Sequence, residues 1–202
     1  MLDEQKVVYE EILKNVMMCM ADQKKRTVIV KGGPGTGKTV VAVNLLAKLT
    51  NDGMFAQYTS KKQCTKKMFM RKKLTGHRKS SINNMFKGSG SYVDAEPNSI
   101  DAVICDEAHR LNDKSGMFHN LGENQIKEII NAALCSIFFI DESQRVTLSD
   151  IGSVAEIRRW ADELESEVME MELVSQFRCN GSDGYLAWLD DVLEIRETAN
   201  LI

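Results

Sequence analysis

The chain has 202 residues, 43% hydrophobic and 27% charged, with a formal net charge of −3. This is room for one domain with a sizeable core and the start of a second, in the composition range of soluble globular proteins. It excludes a membrane-spanning helix, since no run approaches the roughly 18 apolar residues one needs, and a disulfide framework or zinc cluster, since Cys19, Cys64, Cys105, Cys135 and Cys179 are odd in number and never closely paired.

The first residues, Met1-Leu2-Asp3-Glu4-Gln5-Lys6, lack the basic-then-apolar order of a secretory signal. With the unpaired cysteines this points to a reduced, cytoplasmic protein. Val7, Val8, Ile12, Leu13 and Val16 recur at helical spacing and predict a helix from Leu2 to about Met20, with Asp3 as its N-cap. Thr27–Val30 is a short β-branched strand, followed by a glycine-rich loop and a helix from about Lys38 to Leu49. Phe55–Tyr58 reads as a second strand, Ala102–Cys105 as a third, Ser136–Ile140 as a fourth and Val168–Val174 as a fifth. Helices are expected at Asn124–Leu134, Val154–Leu164 and Tyr185–Ile195. Strands alternating with helices imply a parallel sheet covered on both faces. Cys105 and Cys135 fall inside apolar runs and are expected to be buried.

The stretch between Ser60 and Asn98 has weak periodicity and reads as an insertion between core strands. From Gly53 to Val93 it holds no Asp or Glu, while Lys61, Lys62, Lys66, Lys67, Arg71, Lys72, Lys73, Arg78, Lys79 and Lys87 are basic. Such a block is either a path for a polyanion or a solvated lysine-rich surface; composition alone does not choose. Glu156–Glu172 is acidic.

Gly32-Gly33-Pro34-Gly35-Thr36-Gly37-Lys38-Thr39 matches G-x-x-x-x-G-K-[ST] in full and stands between a strand and a helix. In such a loop, glycines let backbone N–H groups turn toward phosphate oxygens, and the next helix presents its positive end to the same anion. Gly33, Gly35, Thr36, Gly37, Lys38, Thr39 and Val40 are therefore the expected ATP-binding residues, with Lys38 on the β- and γ-phosphates and Thr39 on Mg2+. Ala102–Cys105 ends in Asp106-Glu107, the form of a Walker B element: Asp106 for the metal, Glu107 as general base. Phe138-Phe139-Ile140 ends in Asp141-Glu142-Ser143-Gln144, where Gln144 is a candidate sensor of the γ-phosphate or its attacking water. Arg178 follows the last predicted strand and suits charge developing on a transferred phosphoryl group; on pattern alone a surface arginine is an equal reading.

Together these segments resemble a superfamily 1 helicase core, and more closely the Schlafen-type helicase-like ATPase family. The likeness is carried by Val30–Thr39, Asp106–Asn112, Gly122–Gln125, Phe139–Arg145 and Ser175–Asn180, and runs from Leu2 to about Asn200. The resemblance implies a RecA-like P-loop NTPase with a five-stranded parallel sheet, in which Ser136–Ile140 lies between the P-loop strand and the Asp106 strand. It implies that Gln5 reads the adenine edge, that Thr59, Ser60 and Lys61 hold single-stranded DNA or RNA, that Asp141 and Gln144 couple nucleotide state to the strand groove, and that Arg178 reaches the γ-phosphate. Ile140 departs from the pattern, since many superfamily 1 members carry glycine there. The expected organisation is a RecA-like domain at 1–175 with a basic insertion at about 60–98, and at 176–202 a C-terminal helix or the start of a second RecA-like domain. Translocation needs two domains closing on the nucleotide, so this chain alone is expected to bind ATP without unwinding. The competing reading is a nucleotide-gated switch that docks a protein partner and no nucleic acid. A small-molecule kinase is weaker, for want of an arginine-rich lid.

Overall fold

Runs of β-branched and aromatic residues, as at Thr27–Val30 and Ser136–Ile140, form strands in the interior of the sheet. The computed structural model describes residues 1–60, 84–115, 121–145, 147 and 149–175. In chain order these give α1 (Asp3–Asp22), β1 (Arg26–Gly32), α2 (Lys38–Asn51), β2 (Ala56–Thr59), β3 (Phe86–Lys87), β4 (Ile100–Cys105), α3 (Gln125–Ala132), β5 (Ala133–Ile140), α4 (Val154–Glu163) and β6 (Glu167–Leu173). The strands pair in parallel in the order β3-β2-β4-β5-β1-β6. β5 thus lies between the P-loop strand β1 and the Asp106 strand β4, as the family likeness implied. Among the described residues the sheet has six strands where five were expected. The extra one, β3, is two residues long and pairs only Tyr58 with Phe86 and Thr59 with Lys87, too short to carry a period.

β5 is buried along its whole length, which is why it reads as a continuous apolar run and not as an alternation. Successive side chains point to opposite faces. Val28, Val30, Ile104, Ile137 and Phe139 pack under α1 and α2 with Ile12, Val16, Val41 and Leu45. Ile29, Val103, Phe138 and Ile140 pack under α3 and α4 with Ile126, Ile129, Ile157 and Trp160. Phe138 and Phe139 are both fully buried, one on each face, and each contributes about 2–3 kcal/mol by burial.

The helix ends follow local chemistry. Asp3 is the first residue of α1 and not its cap; Leu2 holds the N-cap position, and its N–H donates to Gln5 Oε1 at 3.2 Å. Asn124 caps α3 through its side-chain oxygen on the N–H groups of Ile126 and Lys127, and Ser153 caps α4 through Glu156 N. α3 ends at Ala132 and β5 begins at Ala133, so Leu134 belongs to the strand. No loop intervenes because Lys25 Nζ donates to the carbonyls of Ile130, Asn131 and Ala133, satisfying the helix end.

Cys19, Cys105 and Cys135 are buried, and among the described residues no helix is long and apolar enough to cross a membrane. Lys61 to Lys79, Cys64, Cys179, Arg178 and the predicted helix Tyr185–Ile195 lie outside the described residues.

Candidate nucleotide-binding site

Parallel strands β1, β4 and β5 end at the same edge of the sheet, at Gly32, Cys105 and Ile140. The segments that follow meet there: the loop 32–37, Asp106-Glu107, and the tight turn Glu142–Gln144. This is the edge where ligands of α/β sheets bind. A cleft of about 360 Å³ opens there, lined by Gln5, Pro34, Gly35, Gly37, Lys38, Thr39, Val40, Glu107 and Gln144. The volume is in the range of small-molecule sites.

Gly35 and Gly37 adopt φ of 85° and 90°, the left-handed region that glycine enters without penalty. These two positions turn the chain from β1 into α2. Lys38, the first residue of α2, is buried, and its ammonium donates to Gly33 O at 2.7 Å and to Gly32 O. It also lies 3.7 Å from Asp141 Oδ2. Burial lowers the Lys38 pKa, while the carboxylates of Asp141, Glu107 and Asp106 oppose that shift. Thr36 turns inward, its hydroxyl donating to Gly33 O at 3.0 Å.

Asp106 is fully buried at the end of β4. Its Oδ2 accepts the Thr39 hydroxyl at 2.8 Å and the Tyr58 hydroxyl at 2.6 Å, and its Oδ1 accepts Glu107 N–H at 3.0 Å. Glu107 has φ of 61°, a left-handed conformation that costs a non-glycine residue roughly 1–2 kcal/mol. Its carboxylate lies 3.2 Å from His109 Nε2. His109 is buried, and its Nδ1 accepts the Asp141 N–H at 3.4 Å, which leaves the proton on Nε2, facing Glu107. Asp141 in turn accepts Ser143 N, Ser143 Oγ and, at 2.7 Å, Gln144 Nε2.

Gln5 is buried in the cleft wall, where its Nε2 donates to Thr36 O at 3.2 Å. It therefore supports the P-loop as well as lining the cleft. Thr59 and Ser60 are buried at the end of β2. Three residues had contacts that sequence reasoning missed. Tyr58 ends the predicted strand Phe55–Tyr58, and its hydroxyl reaches Asp106. His109, within Asp106–Asn112, meets Glu107. Glu4, to which no role was given, accepts the N–H groups of Val174 and Ser175, just after β6. A hydrogen bond from the Ser175 side chain, with those two backbone bonds adding to it, holds the Glu4 carboxyl below the usual range. Neither the Tyr58 nor the Glu4 contact has a period or spacing to announce it, because each joins segments distant in the chain.

No curated protein matches the chain. Solved structures similar to it include a DNA replication initiation factor, at 15% identity and a TM-score of 0.42, covering 99% of this chain and 54% of that one. AMPPCP-bound DnaA from Aquifex aeolicus is similar at 15% identity and a TM-score of 0.42, covering 99% and 55%. The Hef helicase domain of Pyrococcus furiosus is similar at 11% identity and a TM-score of 0.44, covering 83% and 37%. The chain thus spans about half the length of the first two. The family model described as "Schlafen group 3, DNA/RNA helicase domain" matches residues 25–201. Over nearly its whole length, P-loop and Asp106-Glu107 strand included, the chain belongs to the Schlafen group 3 helicase-domain family.

Proposed function

We propose that this chain is the ATP-binding and ATP-hydrolysing core of a helicase-type protein that acts on DNA or RNA. The observation that supports this most is the convergence of Lys38, Thr39, Glu107 and Gln144 on one cleft, with Asp106 in contact with Thr39.

In this reading the loop amides 33–37 and the N-terminus of α2 hold the phosphates, and Lys38 turns from its own loop carbonyls to the β- and γ-phosphates. Thr39 Oγ1, on the cleft wall, and Asp106 Oδ2, buried behind it, are hard oxygen donors 2.8 Å apart and fit a magnesium ion. Magnesium there would supply positive charge against the phosphate oxygens. Glu107 takes a proton from the attacking water, held in orientation by the Nε2–H of His109. Gln144, tethered to Asp141, positions that water, and Arg178 stabilises charge on the transferred group. Gln5 contacts the base. The basic stretch 61–79 meets the phosphates of a single strand, with Thr59, Ser60 and Lys61 at its start.

ATP turnover by the purified chain, with and without single-stranded DNA and RNA at two salt concentrations, tests the reading. Turnover that rises with one strand, with affinity that falls as salt rises, supports it. Nucleotide binding with no response to either strand would favour the nucleotide-gated switch instead.

A further inference from the structure

The carboxylate of Asp106 is oriented by two hydroxyls on the same oxygen. One belongs to Thr39, already assigned to the metal. The other belongs to Tyr58, which lies on the neighbouring strand β2 and outside the lining of the cleft. Tyr58 is buried and its ring packs against Phe86 at 5.7 Å between centroids, so the phenol has a fixed direction. The backbone agrees with the side chain, since Asp106 N–H donates to Thr59 O at 3.0 Å. β2 therefore grips Asp106 at both its main chain and its carboxylate.

We propose that Tyr58 is a positioning residue for the magnesium–nucleotide site, fixing the Asp106 carboxylate so that Oδ1 and Oδ2 present one geometry to the metal. This rests on the proposed function, because it needs Asp106 to face a metal. Outer-shell partners of metal ligands are worth about 10–100-fold in metal affinity, and the Tyr58 bond is such a partner.

The test is Tyr58→Phe, which keeps the ring and removes the hydroxyl. Mn2+ binding is read by electron paramagnetic resonance with a non-hydrolysable ATP analogue present. Analogue binding without metal serves as the control for folding. The expected result is an Mn2+ affinity reduced about tenfold, with metal-free analogue affinity unchanged. In an Asp106→Ala background the same substitution should have no further effect, since no side-chain acceptor is left for the hydroxyl. Unchanged Mn2+ affinity in Tyr58→Phe would overturn the proposal. So would an equal loss in the Asp106→Ala background, or a parallel loss of metal-free binding, which marks a general packing role. If the wild-type chain binds the analogue no better with Mn2+ than without, the proposed function itself fails and the positioning role falls with it.

Discussion

A Cβ placed on Gly37 would sit 2.3 Å from Nε2 of Gln5. The P-loop thus closes against the first helix, at a residue that also has φ of 90°. Gly37→Ala should lower stability by about 1–2 kcal/mol from the backbone alone and weaken nucleotide binding. Removing the neighbour, in Gly37→Ala with Gln5→Ala, should restore the part due to overlap and leave the part due to φ. Thermal melts and analogue titration of both variants check this; a Gly37→Ala chain as stable as wild type refutes it.

Glu107 and His109 form a buried-edge pair next to Lys38. Glu107→Gln should retain analogue binding and lose at least about 100-fold in turnover, the usual share of a general base. His109→Ala should lose less, since it acts on the orientation of Glu107. Single-turnover hydrolysis beside equilibrium binding separates the two effects. Turnover unchanged in Glu107→Gln would remove it from the chemistry.

Glu128 is a buried carboxylate whose Oε1 accepts Glu123 N–H and whose Oε2 has no partner among the described residues. Burial raises its pKa, with the charges of Glu123 and Asp94 adding and backbone bonds from Glu123 and Asn124 opposing. A carboxyl that holds its proton more tightly when folded favours folding most at low pH, and that contribution is lost as pH rises through its folded pKa. Glu128→Gln should therefore be more stable than wild type at pH 8, by about 1 kcal/mol, with the gain shrinking toward pH 5. Urea melts at the two pH values measure it; a gain that grows toward pH 5 would show the sign to be wrong.

Lys25 closes the junction between α3 and β5 through the carbonyls of Ile130, Asn131 and Ala133. Lys25→Met keeps the stem and leaves those acceptors unmet, at a cost of about 1–3 kcal/mol. The urea midpoint should fall with the slope unchanged. An unchanged midpoint would mean water replaces the ammonium without loss.

Much of this was legible in the sequence, for reasons that differ by element. Thr27–Val30 and Ser136–Ile140 were readable because fully buried parallel strands are continuous apolar runs, and their order in the sheet followed from the family likeness. The P-loop and Asp106-Glu107 were readable because phosphate and metal chemistry demands fixed residue types at fixed spacing. β3 escaped because two residues make no pattern, and the Asp3 cap failed because the helix already begins at Asp3, with Leu2 in the cap position. Tyr58, His109 and Glu4 act through contacts across the sheet edge, which spacing along the chain does not encode.

The central claim, that a nucleotide is held on the loop from Gly32 to Thr39, is tested most directly by calorimetric titration of a non-hydrolysable ATP analogue with magnesium into the chain and its Lys38→Ala variant. The account predicts saturable one-site binding to the wild type, weakened about 100-fold by loss of the Lys38 charge on the phosphates. Equal affinity in the two proteins, or no binding to the wild type, would contradict it.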